Sequence, residues 1–446
     1  MIFGYTPLDP LVVLGGTFYT GWLLKKNAVR LIGFLPMALS LYFFIPFMTY
    51  LTLWQTVPLV LTVRTFLKGS FKASPRSKPV LTILIMALIW ASLYALVGGD
   101  DHTRALIRAI YYLGVLAIFS FCYEFGQRDG AYHVFLKGLA LVGIIYSLYG
   151  LYQIVATPIG LPVRGIVRGT YGADMAYEYG FVRINSFANE PKRLGYVLFV
   201  SALACFFLAS NEKKTARKWK LAGGFVLLMS LFTFAGSYFL SVALFILVST
   251  LIYPTRLTKY FAVGAIALVA ISYAIPSLGL IEAIQHGYER RLNEVEVGLD
   301  GDVVYRQEFF AWDYLKQHPI DAISGVGIGQ YFSVLSKEYG PGVGYNEYGR
   351  LLPLNSAFLE MILDLSGIIA IIFYCSIAVL IWKLRRAGER FLCLSLLFLA
   401  VQSFTILTLQ FMVMFAGIGL ARLSVAQAKQ RTRPLSLDDA KKPTPA

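Results

Sequence analysis

Residues 79–97 read PVLTILIMALIWASLYALV, and this uncharged run decides the fold. A helix needs about 20 predominantly apolar residues to cross the hydrocarbon core of a bilayer, and the run approaches that length. Comparable runs follow one another along the chain, without the short segments of alternating polarity that are typical of a membrane β-barrel. The sequence therefore predicts an all-α fold, a polytopic integral membrane helical bundle.

The overall composition indicates the same class of protein. The chain has 446 residues, of which 57% are hydrophobic and 15% are charged, and its mean hydropathy is +0.64. Soluble domains usually carry about 25% charged residues. The net charge of +15 would suit nucleic acid, but the basic residues form short clusters between apolar runs. Such clusters are typical of cytoplasmic loops, so no nucleic-acid partner is predicted.

The apolar runs predict about twelve or thirteen transmembrane helices. Boundaries near the N-terminus are blurred, because Pro36, Pro46 and Pro58 interrupt helical hydrogen bonding. The last run fits either a tight hairpin of two short spans or one long tilted helix. The predicted spans are 10–24, 30–50, 52–67, 79–97, 104–123, 132–156, 194–210, 219–235, 236–252, 259–276, 355–382 and 391–421.

The basic clusters predict the orientation of the bundle. They occur at 25–30, 64–78, 213–220, 383–386 and 429–442, and cytoplasmic loops of membrane proteins are enriched in Lys and Arg. Placing the clusters inside leaves two long loops, 157–193 and 277–354, on the periplasmic side. The second loop holds eleven acidic residues against six Lys and Arg, which agrees with an outside position.

The four cysteines lie in or beside apolar runs without CxxC spacing, so neither a disulfide framework nor a zinc site is predicted.

The order of spans and loops divides the chain into six predicted segments. The segments are the N-terminal transmembrane helices (1–156), the first periplasmic loop (157–193), the central transmembrane helices (194–276), the second periplasmic loop with amphipathic helices (277–354), the C-terminal transmembrane helices (355–424) and a disordered cytoplasmic tail (425–446).

The first long loop combines arginines with aromatic residues. Arg183, Glu190 and Arg193 lie in its last part, and Tyr179 precedes them. Arginine is suited to phosphate because its planar fork offers fixed donors, and an aromatic face can stack on a sugar ring. Arginines at a membrane edge also bind lipid head groups, and aromatics there form an interfacial belt. For the segment 183–195, the density of ionisable groups before a span favours a binding site.

The second long loop contains further candidate arginines. Arg290 and Arg291 lie together in an amphipathic stretch, and Arg306 lies in a second stretch with helical spacing, residues 303–319. Gly325, Gly327 and Gly329 follow. No strand precedes these glycines and no Lys-Ser or Lys-Thr pair follows them, so they predict a tight turn between helices rather than a nucleotide loop.

Two carboxylates open the span that follows the second loop. Glu360 and Asp364 are four residues apart and therefore share one helix face. Carboxylates at membrane depth are costly and usually face a polar partner or a cavity. They are expected either to pair with a loop arginine such as Arg306 or Arg350 as a structural clamp, or to line a substrate cavity. The sequence does not separate these two interpretations.

Three groups of residues, in this order and spacing, carry a family resemblance. They are Arg183-Ile-Asn-Ser-Phe-Ala-Asn-Glu190-Pro191 before a span, Arg306 before His318-Pro319 and the Gly325–Gly329 turn, and Asn355, Leu359, Glu360, Asp364 and Gly367 at the start of the next helix. With the two loops, the chain resembles the O-antigen polymerase and O-antigen ligase superfamily of bacterial envelope glycan enzymes over roughly residues 130–380.

The resemblance implies a metal-independent glycosyltransferase without cofactor in the bacterial inner membrane. The donor would be an undecaprenyl-diphosphate-linked glycan, the acceptor another sugar, and a chain-length regulator a candidate partner besides membrane lipids. By resemblance Arg183 and Arg306 hold the diphosphate, with Arg193 or Arg290 as additional candidates. Ligases typically have a His-Asn pair where this chain has Leu354-Asn355. The resemblance therefore favours the polymerase over the ligase.

The expected chemistry agrees with these residue types. Fixed arginines stabilise the negative charge that develops on a departing diphosphate. A carboxylate such as Glu190 is the candidate base for the acceptor hydroxyl. The remaining predicted substrate contacts are Arg291, Asn355, Glu360, Asp364 and Tyr179. A transporter or flippase for a lipid-linked oligosaccharide, and a structural member of a glycan-assembly complex, are the alternatives outside the family.

Overall fold

The apolar runs form α-helices, because in lipid a helix satisfies its backbone hydrogen bonds within one segment. The computed structural model describes residues 8–45, 51–69, 71–73, 75, 77–163, 177–178, 181–188, 190–253, 307–340, 343 and 354–431. The helices are α1 (Leu8–Lys26), α2 (Ala28–Ser40), α3 (Leu53–Leu67), α4 (Lys78–Gly98), α5 (His102–Gly126), α6 (Ala131–Ala156), α7 (Pro191–Asn211), α8 (Ala216–Leu231), α9 (Gly236–Ile252), α10 (Gln307–Gln317), α11 (Pro319–Ser324), α12 (Tyr331–Tyr339), α13 (Ala357–Asp364), α14 (Gly367–Arg386), α15 (Arg390–Gln402) and α16 (Leu409–Arg431).

Regular β-structure in the described part of the chain is confined to two short antiparallel pairings. One pairing joins β1 (Phe44–Ile45) to β2 (Leu51–Thr52), and the other joins β3 (Tyr177–Glu178) to β4 (Phe181–Val182). Both pairings are only two residues long, so they form no layer of the fold. The predicted all-α class is confirmed.

Six described helices, α4, α5, α6, α7, α14 and α16, are long and apolar enough to cross a membrane. Shorter apolar helices are α2, α3, α9 and α15. The chain is therefore a multi-pass helical membrane protein, as the composition predicts. The predicted span 259–276 and the tail beyond 431 lie outside the described residues. The count of twelve or thirteen spans and the sidedness of the two loops stay predictions.

The structure corrects two predicted spans. The run 355–382 is two helices, because α13 ends at Asp364 and Ser366 starts α14 by accepting a hydrogen bond from the Ile369 amide at 3.1 Å. The run 30–50 is helical only to Ser40, where α2 ends before β1. The run 391–421 is not one long helix, since residues 403–408 separate α15 from α16, and α16 continues to Arg431.

Helix α5 lies near the centre of the bundle and packs on α3, α4 and α16, while α7 packs on α6 and α8. Helices α4 and α14 lie at the periphery. On α4, Met86, Trp90 and Val97 are 61%, 68% and 90% exposed. Apolar side chains this exposed on a hydrophobic helix are suited to contact with lipid tails rather than water.

Each end of the bundle has an ion pair between described residues. At the end where α3 and α5 finish, here called the basic end, Arg64 pairs with Glu124 at 2.8 Å and joins the last turns of these two helices. At the other end, here called the glycine-turn end, Lys337 pairs with Asp100 at 2.6 Å. The short helices α10, α11 and α12 all lie at the glycine-turn end. The candidate site described below lies towards that end.

Candidate functional site

A buried ionic cluster joins α5 to α13. Arg108 forms ion pairs with both Glu360 and Asp364, and its Nε lies 2.8 Å from Asp364 Oδ2. The Arg108 side chain is 18% exposed, Glu360 is 3% exposed and Asp364 is fully buried. Buried charges need such partners because desolvation penalises the ionised form. The two carboxylates thus share one face, as their spacing predicts, and their partner is an arginine from α5.

The glycine turn holds Asp364 from the other side. The Gly329 amide donates to Asp364 Oδ1 at 2.9 Å, and the Val326 amide donates to the Leu363 carbonyl at 2.8 Å. Gly325, Gly327 and Gly329 have φ of +80°, +94° and +71°, a left-handed region that favours glycine. The predicted tight turn between helices is confirmed, and its amides hold the end of α13.

Gln330 fastens this turn to the α4–α5 connection. Its Oε1 accepts from the amides of Asp100 and Asp101 at 3.0 and 3.3 Å, and its Nε2 donates to the Asp101 carbonyl at 3.0 Å. Gln330 is 3% exposed. The side chain therefore satisfies three backbone groups that lie far away in sequence, and it fixes the start of α5 above Arg108.

Aromatic rings connect the ionic cluster to Arg193. The Arg108 guanidinium lies 4.7 Å from the Tyr111 ring centroid, and Tyr111 meets Trp54 edge to face at 6.3 Å. The Arg193 guanidinium lies 5.6 Å from the Trp54 ring centroid. Each contact has cation–π or edge-to-face geometry. This stack of four residues places two arginines on opposite sides of one aromatic pair.

Two buried donors in this stack find no hydrogen-bond acceptor among the described residues. They are the Trp54 indole Nε1 and the Arg193 Nε. Buried donors are normally satisfied, so these two donors of contacting side chains mark a candidate position for an acceptor. The full positive charge of Arg193 makes an anionic acceptor the natural match.

Glu190 directly precedes α7, and Arg193 lies in the first turn of that helix. Glu190 is 6% exposed and lies 3.2 Å from the Lys192 amine. The Glu190 carbonyl accepts from the Arg193 amide at 3.1 Å. Pro191 occupies the first helical position, where a missing amide costs nothing. The start of α7 therefore combines one carboxylate, Glu190, with two basic residues, Lys192 and Arg193, and Arg193 belongs to the aromatic stack.

Arg183 contacts the connection between α8 and α9. Its Nε donates to the Thr233 carbonyl at 3.1 Å in the turn between α8 and α9. Helix α9, which follows that turn, packs on α7, because Gly195 lies so close to Tyr238 that an added Cβ would stand 2.7 Å from the ring. Arg183, which directly follows β4, is therefore anchored to the turn that leads into α9.

Asn355 contributes through its backbone. The Asn355 amide donates to a Glu308 carboxylate oxygen, which ties α10 to the start of α13. Of the other predicted site residues, Tyr179, Arg290, Arg291, Arg306 and Arg350 lie outside the described residues. The structure thus brings Glu360 and Asp364 together with Arg108. It also brings Arg193, one helical turn from Glu190, together with Trp54.

Sequence reasoning missed Arg108, Tyr111 and Trp54. A signal existed for Arg108, because it is an arginine inside the predicted span 104–123, and ionisable residues within spans are functional candidates by default. No comparable signal marked Tyr111 or Trp54, since aromatic residues make up 15% of the chain. Their role depends on the helix faces that α3 and α5 present to each other.

Among the described residues, no group of three His, Cys, Asp or Glu side chains is arranged to hold a metal ion. No protein-family model matches the chain, and no curated protein matches it either. The resemblance to envelope glycan enzymes therefore stays a prediction, and the arrangement of charged and aromatic side chains carries the functional argument.

Proposed function

We propose that this chain is a glycosyltransferase of the bacterial inner membrane that polymerises undecaprenyl-diphosphate-linked oligosaccharide repeat units into a surface polysaccharide. The observation that carries the proposal is the pair of buried donors, Trp54 Nε1 and Arg193 Nε, that find no acceptor in the described part of the chain. A diphosphate supplies both the oxygen acceptors and the negative charge that such a pair requires. In the proposed topology, the glycine-turn end and the loops 157–193 and 277–354 are periplasmic.

The charge balance favours Arg193 over Arg108 as a diphosphate ligand. Arg108 already pairs with two carboxylates, Glu360 and Asp364, so this cluster offers no surplus positive charge. At the start of α7, by contrast, two basic residues, Lys192 and Arg193, follow one carboxylate, Glu190, and Lys192 lies 3.2 Å from that carboxylate. We therefore assign Arg108 a positioning role and Arg193 the direct contact. Arg183 and Arg306 are the further ligands that the family resemblance proposes.

The proposed reaction needs no redox step. An acceptor sugar hydroxyl attacks the anomeric carbon of the donor, the carbon–oxygen bond to the diphosphate breaks, and the lipid diphosphate leaves with both electrons. The arginines stabilise the charge on that leaving group. Glu190 accepts the hydroxyl proton in this proposal, and its burial beside Lys192 places it within one helical turn of Arg193. Direct attack on an α-linked donor gives a β-linked product.

One observation favours a second candidate, a transporter or flippase for the same lipid-linked glycan. Arg108 lies within a candidate span, and buried ionic clusters inside spans are common in transport pathways. A ligase is the other alternative within the family. Leu354 stands where ligases typically have histidine, and it is fully buried, so it offers no base to a substrate.

The test is an in vitro assay with the purified full chain and an undecaprenyl-diphosphate-linked repeat unit, with products resolved by gel. We expect a ladder of lengthening chains without any lipid A–core acceptor. Arg193→Ala should lower the rate about 100-fold, as expected for loss of a group that stabilises developing charge. Arg128→Ala, an exposed arginine at the turn between α5 and α6, is the matched control and should retain the rate.

Two outcomes would overturn the polymerase, and a third would overturn the assignment of Arg193. Transfer only after addition of lipid A–core would identify a ligase. Movement of the lipid-linked glycan across proteoliposomes without bond formation would identify a transporter. Equal rates for Arg193→Ala and Arg128→Ala, with a ladder present, would remove Arg193 from the site.

A further inference from the structure

A lateral groove opens between the peripheral helices α4 and α14. Its volume is about 420 Å³, within the range of about 300–1,000 Å³ typical of ligand sites. Helices α5, α13 and α16 form its floor, and the lining is almost entirely apolar. The groove is separate from the aromatic stack of the candidate site, because neither Trp54, Tyr111 nor Arg193 lines it.

The two ends of the groove differ in chemistry. At one end lies Tyr112, whose hydroxyl donates to Asp364 at 3.1 Å. At the other end lie Ser77, just before α4, and Lys383, in the last turn of α14. Among the described lining residues, Lys383 is the one charged side chain. The groove therefore runs from the level of the buried cluster to the basic end of the bundle.

Lys383 forms no ion pair with any described residue, and its side chain is exposed. Arg386 lies one turn further along α14 and Lys78 starts α4, so the mouth of the groove is positively charged. Basic pockets between transmembrane helices at the cytoplasmic side bind acidic lipid head groups. An apolar channel that opens sideways is complementary to the acyl chain of the same molecule.

We propose that the groove binds one anionic phospholipid of the cytoplasmic leaflet, with its phosphate at Lys383 and Ser77 and one acyl chain between α4 and α14. The bound chain fills the gap between these two helices and packs against Leu116 and Met361. The site thereby connects lipid composition to the element that carries Asp364. This inference does not depend on the proposed glycan transfer.

The experiment is native mass spectrometry of the purified full chain, titrated with phosphatidylglycerol or with phosphatidylcholine of the same acyl chains. We expect one phosphatidylglycerol to be retained more strongly than any phosphatidylcholine. Lys383→Ala should weaken that binding about fivefold, the effect of roughly 1 kcal/mol per basic residue near an acidic lipid. Lys214→Ala, an exposed lysine elsewhere at the basic end, should leave it unchanged.

A second pair of variants tests the acyl-chain part of the site. Cys375 lines the groove, so Cys375→Trp should fill it and abolish retention of the lipid. Ala378→Trp places the same bulk on an exposed position of α14 that does not line the groove, and should have no effect. Thermal unfolding in detergent confirms that each variant is folded, so a lost lipid is distinguished from a lost fold.

Five results would overturn the proposal. The first three are equal retention of the two lipids, equal loss in Lys383→Ala and Lys214→Ala, and unchanged lipid retention in Cys375→Trp. The fourth is binding of undecaprenyl phosphate in place of phospholipid with no dependence on Lys383, which would make the groove the binding site for the lipid tail of the glycan donor. The fifth is occupation of the groove by a second copy of the chain. Cys375 is the one exposed cysteine of the four, so an oxidative Cys375–Cys375 cross-link in membranes would reveal that dimer.

Discussion

The Nε atom of Arg108 lies 2.8 Å from Oδ2 of Asp364, a residue 256 positions later in the chain. The same carboxylate accepts hydrogen bonds from the Tyr112 hydroxyl at 3.1 Å and the Gly329 amide at 2.9 Å. Asp364 therefore joins helix α5, the glycine turn and helix α13 at one buried point. This junction supports the wall of the bundle next to the aromatic stack.

Arg108→Met should destabilise the protein strongly. The change removes the charge that balances Glu360 and Asp364 and leaves both carboxylates buried. Breaking a buried pair by removing one partner typically costs about 3–5 kcal/mol. Thermal unfolding in detergent measures the loss. The triple variant Arg108→Met, Glu360→Gln, Asp364→Asn should recover part of it, and equal stability of Arg108→Met and the wild type would contradict the buried cluster.

Gly329→Ala should destabilise the glycine turn. Gly329 has a φ of +71°, and an added Cβ would stand 2.9 Å from the Arg104 carbonyl oxygen. The left-handed backbone alone costs about 1–2 kcal/mol for alanine, and the contact adds to it. Gly340→Ala has a similar φ of +96° in open space and should show only the backbone cost. Gly224→Ala, inside α8 and also in open space, should be slightly stabilising.

Gln330→Glu tests the connection between the glycine turn and the start of α5. Glutamate retains the acceptor for the Asp100 and Asp101 amides but replaces the Nε2 donor that faces the Asp101 carbonyl. Two oxygens then face each other in a buried place, a loss of about 1–3 kcal/mol. Hydrogen exchange of the Asp100 and Asp101 amides should increase. Unchanged protection would mean that Gln330 does not hold this connection.

Trp54→Phe tests the hydrogen-bond donor of the indole separately from its aromatic face. Phenylalanine keeps an aromatic face for Arg193 but lacks the Nε1 hydrogen, which finds no acceptor among the described residues. A hydrogen bond to a charged group is worth about 1.5–3 kcal/mol. The affinity for the undecaprenyl-diphosphate-linked glycan in the polymerisation assay should therefore fall about 10- to 100-fold. Trp382→Phe, an exposed tryptophan on α14, should not change it. An unchanged affinity in Trp54→Phe would place the diphosphate elsewhere.

Glu212 makes stability depend on pH at the basic end. Hydrogen bonds from Thr215 and Trp219, together with Lys137, lower the pKa of Glu212 from 4.5 to about 2. Because the folded pKa is depressed, the carboxylate stabilises the fold above pH 4.5, and this contribution is lost as the pH falls towards 2. Glu212→Gln should therefore lower the melting temperature at pH 7 and matter progressively less below pH 4.5.

A matched variant tests this explanation of the pH dependence. Thr215→Val removes the 2.7 Å hydrogen bond to Glu212 but leaves the carboxylate and Lys137 in place. It should narrow the difference in melting temperature between pH 7 and pH 3 without abolishing it. If the melting temperatures of the wild type and Glu212→Gln differ by the same amount at every pH, the charge of Glu212 does not stabilise the fold.

Some site features were predictable from local sequence and others were not. The shared face of Glu360 and Asp364 follows from helical spacing, and the turn at Gly325–Gly329 follows from glycine content. The break between α13 and α14 was missed, because Ser366 lies within a continuous apolar run and its capping bond depends on local backbone geometry. The partner of the two carboxylates was missed because Arg108 lies in a different span.

The sequence by itself determined that this is a helical, multi-pass membrane protein, because the length and hydrophobicity of each run decide whether a helix can lie in lipid. Only the tertiary structure decided which charges meet. The pairing of Arg108 with Asp364 and the stacking of Arg193 on Trp54 depend on how helices rotate against one another. That rotation is set by packing over the whole bundle, and no local pattern in the sequence encodes it.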